Sequence, residues 1–242
     1  MTDPVFVSSR DNALLKELRK LSQDNTAYRK AGRFWVEGDH LCRAALERGV
    51  QPAVAVYGES FWAQVQGPLA DVAGKKVVVP DALFRDISGL ESPASVGFVL
   101  DLPAEQSLDA HAATVILDRV QDAGNVGSIL RSAGAFGFRQ VLALKGTAAL
   151  WSPKVLRAGM GAHFALRIIE GADLQALASG YAGRILATSV KEGTAVFDAD
   201  LTGDVALLFG NEGAGLTAAM TGLAHQTVHI PMPGKTESLN VG

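Results

Sequence analysis

The chain has 242 residues, 48% of them apolar, and carries 22 Lys/Arg against 25 Asp/Glu for a net charge of −3. That length and apolar share are enough to bury the core of one large or two ordinary domains, and they exclude a disordered chain. The single cysteine, Cys42, excludes an internal disulfide and any cysteine-rich metal cluster. No apolar run reaches the roughly 18 residues of a membrane span, and the opening MTDPVFVSSRDN is too polar for a secretory signal, so a cytoplasmic protein with no membrane or metal partner is expected.

The charge is unevenly spread. Residues 1–50 hold nine Lys/Arg against seven Asp/Glu, whereas 51–113 hold three against eight. The positive excess lies in RDNALLKELRKLSQDNTAYRKAGR, on Arg10, Lys16, Arg19, Lys20, Arg29, Lys30 and Arg33. Leu14, Leu15, Leu18 and Leu21 recur there at helical spacing, which predicts an amphipathic helix showing its charges outward. Such a face is commonly just solvated; the functional alternative is sequence-independent contact with phosphates. GRFWVEGDHLCRAALERGV reads as a strand, a glycine turn and a helix, with Cys42 as a small buried filler. PAVAVYG, KKVVVP and SVGFVLDL follow as further strands, giving a small α/β domain over 1–102, and the polar stretch over 103–113 reads as a linker.

Over 114–242 the apolar runs ATVILD, QVLALK, ALRII, RILATSV, VALLFG and TVHIP alternate with helical patterns. This arrangement predicts an α/β domain with a mostly parallel sheet covered on both faces, whose ligands bind at the carboxyl ends of the strands. Three loops at such ends stand out. QDAGNVGSILRSAGAFGF opens a helix that Asn125 could cap, with Gly127, Arg131 and Gly134 along one side. FGNEGAGL follows a buried strand, and Gly213, Gly215 and Ala218 loosely match a dinucleotide fingerprint, though no acidic residue stands on a following strand at the required distance. IPMPGKTESLN closes the chain. Each alone reads equally well as a tight packing element or an ordinary loop.

Together and in order, these three stretches resemble the signature motifs of the SpoU (TrmH-type) branch of the SPOUT RNA methyltransferases. SPKVLRAGMGAHFAL resembles the segment between that family's first two motifs, and YRKAGRFWVEGDHLCRAAL is similar to its accessory substrate-binding domain of ribosomal-protein-L30-like fold. The resemblance implies a trefoil-knotted α/β domain acting as a homodimer, which binds S-adenosylmethionine and methylates a ribose 2′-hydroxyl in RNA. Carried over by position, Thr188, Gly210, Ile230 and Leu239 would hold the cofactor, with Asn211, Glu212 and Met232 shaping its pocket. Asn125, Arg131, Ser238 and Asn240 would stand on the catalytic side. Ala123-Gly124 departs from the proline common after the QD pair, and Ser132 replaces a frequent threonine; neither removes a candidate catalytic group.

A guanidinium is a poor general base, so the role expected of Arg131 is to hold an RNA phosphate and stabilise developing alkoxide charge while Asn125 and Asn240 orient the groups. In the family this chain resembles, an accessory RNA-binding domain is more typical of members that act on ribosomal RNA than on tRNA, so the resemblance implies a ribosomal RNA substrate. Phe34, Trp35 and Tyr28 could pack in the core or stack on a base, and core is favoured for Phe34 and Trp35. Two alternatives remain open: an RNA- or ribosome-binding module with an idle site, and an NAD-dependent oxidoreductase resting on the weak glycine match. Because the family continues past SLNV into a helix, residues 238–242 are expected to fray as a chain end.

Overall fold

The computed structural model describes residues 3–242. It divides into two compact units, one running to Ala104 and including Trp151–Phe164, the other formed by Glu105–Leu150 and Ala165–Gly242.

In the first unit the order is β1 (Val5–Phe6), α1 (Ala13–Gln23), α2 (Ala27–Ala31), β2 (Arg33–Glu37), α3 (Asp39–Glu47), β3 (Val54–Gly58), α4 (Glu59–Trp62), β4 (Lys75–Val79), α5 (Asp81–Ile87) and β5 (Val96–Asp101). The five strands lie in the order β1-β4-β3-β5-β2, with β5 antiparallel to both β3 and β2. Helix α1 starts where Asn12 accepts a hydrogen bond from the Leu14 N–H, and it buries Leu15, Leu18 and Leu21 as its leucine spacing predicts. Phe34, Trp35 and Tyr28 are all buried, so the base-stacking alternative falls away for all three. Cys42 is fully buried, and burial pushes its thiol well above the usual range, which leaves it an inert filler.

Trp35 accounts for a glycine in the middle of β5. A Cβ at Gly97 would run into the Trp35 ring, which also stands 6.2 Å from Phe84. Gly97→Ala is therefore expected to destabilise this unit by about 1–3 kcal/mol through overpacking, measurable by chemical denaturation.

The second unit contains β6 (Thr114–Leu117), α6 (Ala123–Ala135), β7 (Gln140–Leu144), β8 (Arg167–Ala172), α8 (Leu174–Gly180), β9 (Arg184–Ser189), β10 (Thr194–Ala195), β11 (Val205–Phe209), α9 (Ala218–Leu223) and β12 (Gln226–His229); α7 (Pro153–Gly159) falls in the first. Its seven strands are all parallel, in the order β10-β12-β9-β11-β6-β7-β8. The six apolar runs became the six longer strands. One face packs Ile116, Leu142, Ala187 and Leu208 against Leu177, Tyr181 and Met220 from the α8 and α9 segments. On alternate positions Val115, Leu117, Val141 and Ala143 are buried too, so both faces are covered.

The stretch 151–164 differs from its expected place. Trp151 is buried with its ring 4.7 Å from Phe34, and α7 lies against β2 and α1. Amphipathic spacing shows that a helix will bury one face and says nothing about which sheet receives it.

Candidate active site

The strand order makes the carboxyl ends of β12, β9, β11 and β6 neighbours, and the three singled-out loops all leave from this edge. Leu208 of β11 stands level with Ala187 of β9 and Ile116 of β6, and Thr188 stands level with Val228 of β12. Thr188 donates its hydroxyl to the Leu208 carbonyl at 2.8 Å, fixing the end of β9 to β11.

After β11 the chain folds back on itself. Asn211 and Gly215 exchange both backbone hydrogen bonds, at 3.0 and 2.9 Å, and Asn211 Oδ1 accepts from the N–H groups of Gly213 and Ala214. A Cβ at Gly210 would collide with the Gly215 backbone, so that glycine is required by the closure of the turn itself. The turn presents Glu212 to the loop after β6. Its carboxylate accepts from the Asp122 N–H at 3.0 Å, the Gln121 N–H at 3.1 Å and Asn125 Nδ2 at 3.1 Å. Partial burial raises the Glu212 carboxyl, but these hydrogen bonds outweigh it and hold the group below its ordinary range.

Asn125 is not the cap of α6. Asp122, in an extended conformation, takes that position and accepts from the Asn125 N–H at 2.8 Å, because the helix begins as early as Ala123. Asn125 therefore lies in the first turn with its side chain on Glu212. The end of the chain reaches the same turn: a Cβ at Gly242 would collide with Ser128 Oγ and come within 2.9 Å of Asn125 Cα. Asn240 Oδ1 accepts from the Gly242 N–H at 3.4 Å. Arg131 is exposed on α6, six residues and so about 9 Å beyond Asn125, with no ion pair among the described residues. Ser238 is exposed on the closing loop.

Beside these loops lies a cleft of about 620 Å³ between the ends of β9 and β12, lined by Val190, Lys191, His229, Met232 and the Pro231–Glu237 loop. Its apolar wall and few polar groups suit a nucleoside-sized cofactor. The His229 Nδ1 atom is buried with no hydrogen-bond partner among the described residues, and a bound polar group would supply one. Of the expected cofactor residues Met232 lines the cleft, while Ile230 and Leu239 are each 56% exposed, apolar and available for contact. Asn211 and Glu212 instead spend their polar atoms holding loops together. The residues present fit the group.

The basic residues of the first unit are largely engaged. Arg10 pairs with Asp86 at 3.0 Å, Lys16 with Asp11 at 3.0 Å and Arg33 with Glu17 at 3.3 Å. Arg19 donates to the Arg10 carbonyl, and Arg29 lies over the Tyr28 ring. Lys20 and Lys30 are exposed and form no ion pair among the described residues. Exposed ion pairs contribute little, so Arg10, Lys16 and Arg33 can exchange a carboxylate for a phosphate, and Lys20 and Lys30 can take one directly.

Sequence reading passed over three residues at this edge: His229, Asp118 and Arg119. The signal was their position directly at or after strand ends; Asp118 is a carboxylate only 2% exposed.

Comparison with known proteins matches two family descriptions. Residues 12–97 match the MRM3-like substrate binding domain, and residues 112–242 match the SpoU rRNA methylase family. Among curated relatives, the Bacillus subtilis 23S rRNA (guanosine(2553)-2′-O)-methyltransferase RlmP is 28% identical over 239 residues, covering 97% of this chain and 94% of that protein. The Streptomyces viridochromogenes 23S rRNA (uridine(2479)-2′-O)-methyltransferase is 31% identical over 253 residues, covering 97% and 86%. The solved SpoU methyltransferase AviRb from the same organism, in complex with the cofactor AdoMet, superposes with a TM-score of 0.81 at 28% identity over 95% of this chain and 92% of that one. With its three characteristic loops on one sheet edge and more than half its length matched, this chain belongs to the SpoU rRNA methylase family.

Proposed function

We propose that the protein transfers a methyl group from S-adenosylmethionine to a ribose 2′-hydroxyl in ribosomal RNA, its second unit carrying the chemistry and its first binding the substrate. The observation that carries this reading is the joining of the loops by Glu212, which holds Asn125 in the first turn of α6, where Gly242 brings up the Asn240 segment, with Arg131 about 9 Å further along the same helix. The curated relatives RlmP and the viridochromogenes enzyme, both named for 2′-O-methylation of 23S rRNA, support the substrate class.

When bound, S-adenosylmethionine supplies an electrophilic methyl group. Val190, His229, Met232 and the Pro231–Glu237 loop would hold it, with Thr188, Ile230 and Leu239 at the margin. The Arg131 guanidinium anchors a backbone phosphate and stabilises negative charge growing on the ribose oxygen. Asn125 and Asn240, with Ser238, orient the nucleotide, using the alignment that an in-line displacement demands. The dinucleotide alternative is disfavoured because the Asn211–Gly215 turn turns its N–H groups inward onto Asn211.

The reading includes a homodimer, in which exposed Phe136 and Phe197 would find cover, and a cytoplasmic setting. A last strand inserted between β9 and β10 is what a trefoil-knotted carboxyl segment would leave in the strand order. Incubating the protein with tritiated S-adenosylmethionine and unmethylated ribosomal RNA, then mapping 2′-O-methyl positions, tests the proposal. Label at one nucleotide supports it; binding without transfer returns the idle-module reading.

Binding should also be strongly salt-dependent. Each phosphate contact contributes a slope of about −0.7 to −0.9 in log K against log salt, so Lys20→Ala combined with Lys30→Ala is expected to flatten the slope by about 1.5. An unchanged slope would move the RNA face elsewhere.

A further inference from the structure

Resting on the function proposed above, we infer that Asp118 and Arg119 are positioning residues that set the place of Asn125 by fixing the Asn211–Glu212 turn. The loops after β6, β7 and β11 are knitted together at this dipeptide. Asp118 is buried at the end of β6, and both its oxygens are used: Oδ1 accepts from Arg119 Nε at 3.1 Å and Oδ2 from the Thr217 N–H at 2.9 Å. A buried carboxylate is tolerated only where it is satisfied in this way. It thereby ties the start of α9 to the end of β6.

Arg119 has φ 57°, a left-handed conformation unfavourable for a side chain of its size and held only where surroundings impose it. The imposing contacts are present. The Arg119 N–H donates to Thr147 Oγ1 at 3.2 Å, and Thr147 donates in turn to the Leu117 carbonyl at 3.1 Å. Gly146 leaves room for the arginine stem, since a Cβ there would stand 3.1 Å from Arg119 Cγ. The left-handed residue aims its own carbonyl at Asn211, which donates Nδ2 to it at 2.9 Å.

Asn211 organises the turn that presents Glu212, and Glu212 holds Asn125. A run of polar contacts therefore leads from a buried carboxylate through Arg119, Asn211 and Glu212 to the Asn125 side chain. Outer partners of this kind convert a small misalignment into a large loss of rate.

The test compares Asp118→Asn, Asn125→Ala and the double variant, with Arg119→Ala and Arg119→Gly alongside. Asp118→Asn is expected to lower kcat by roughly 10–100-fold with KM for S-adenosylmethionine little changed. On the Asn125→Ala background the same substitution should add almost nothing, because the two act in series. Arg119→Gly, free to adopt the left-handed conformation, should retain about ten-fold more kcat than Arg119→Ala. The Asn125 side-chain amide, followed by NMR, should exchange faster with solvent in Asp118→Asn than in the parent chain. An unchanged Asn125 amide, multiplying losses in the double variant, or equal losses in the two Arg119 variants would overturn the inference. A parent chain that methylates no RNA would instead remove the functional reading, leaving the amide measurement to judge the linkage.

Discussion

Arg131→Ala should lower methyl transfer by roughly 10²–10³-fold while leaving S-adenosylmethionine affinity within a few-fold and the melting temperature unchanged. The side chain is exposed on α6 and forms no ion pair among the described residues, so its removal takes away no packing. Alanine is a better helix former, which argues further against lost stability. What disappears is a cation about 9 Å along the helix from Asn125, whose own turn the closing segment reaches. Arg131→Lys keeps the charge but loses the planar fork that grips a phosphate at two oxygens, and an intermediate rate is expected from it. Calorimetry with S-adenosylmethionine and a tritium-methyl assay on one preparation separate the possibilities. Parallel loss of cofactor binding and rate would make Arg131 a structural residue and move the phosphate contact elsewhere.

The sheet of the second unit was legible because its central strands are buried on both faces and so read as uninterrupted apolar runs, as with TVIL before Asp118 and VALLF before Gly210. Strands β1 and β10 were not, since two residues are too few to show a period. The helix of the basic segment was visible in its leucines, yet the acids that pair with the segment's cations include Asp86, the partner of Arg10 and far along the chain. Local pattern likewise could not tell that Trp151 would pack on Phe34, more than a hundred residues earlier. At the site, residue types pointed to the correct loops but not to their division of labour. Asn125 looked like a cap because Asn is a common one, and Asp122, three residues before it, won the position. Glu212 looked like a pocket residue; its partners at Gln121, Asp122 and Asn125 are about ninety positions away and emerge only when β11 pairs with β6.

That pairing makes Glu212 the side chain whose loss should be felt in both rate and stability. In Glu212→Gln one oxygen becomes an amide that cannot accept, so at least one of the donors now held by the carboxylate loses its partner. The site is partly open to water, which limits the cost in stability to about 1–2 kcal/mol, a few degrees in melting temperature. The effect on kcat should be larger, about 10²-fold, because Asn125 is released from its place. Acid provides an independent check. Burial raises the Glu212 carboxyl, but the hydrogen bonds from Asp122, Asn125 and Gln121 lower it further, so in the folded chain it lies below its ordinary value of 4.5. A carboxyl lowered by folding contributes stability that is fully present above its unfolded value and is lost as pH falls through its folded value. The parent chain should therefore melt higher than Glu212→Gln from neutral pH down to about 4.5, and the two melting curves should converge below that as the parent's carboxylate is protonated. A gap already absent at pH 7, or one that persists undiminished at pH 3, would show that the carboxylate does not hold these loops together.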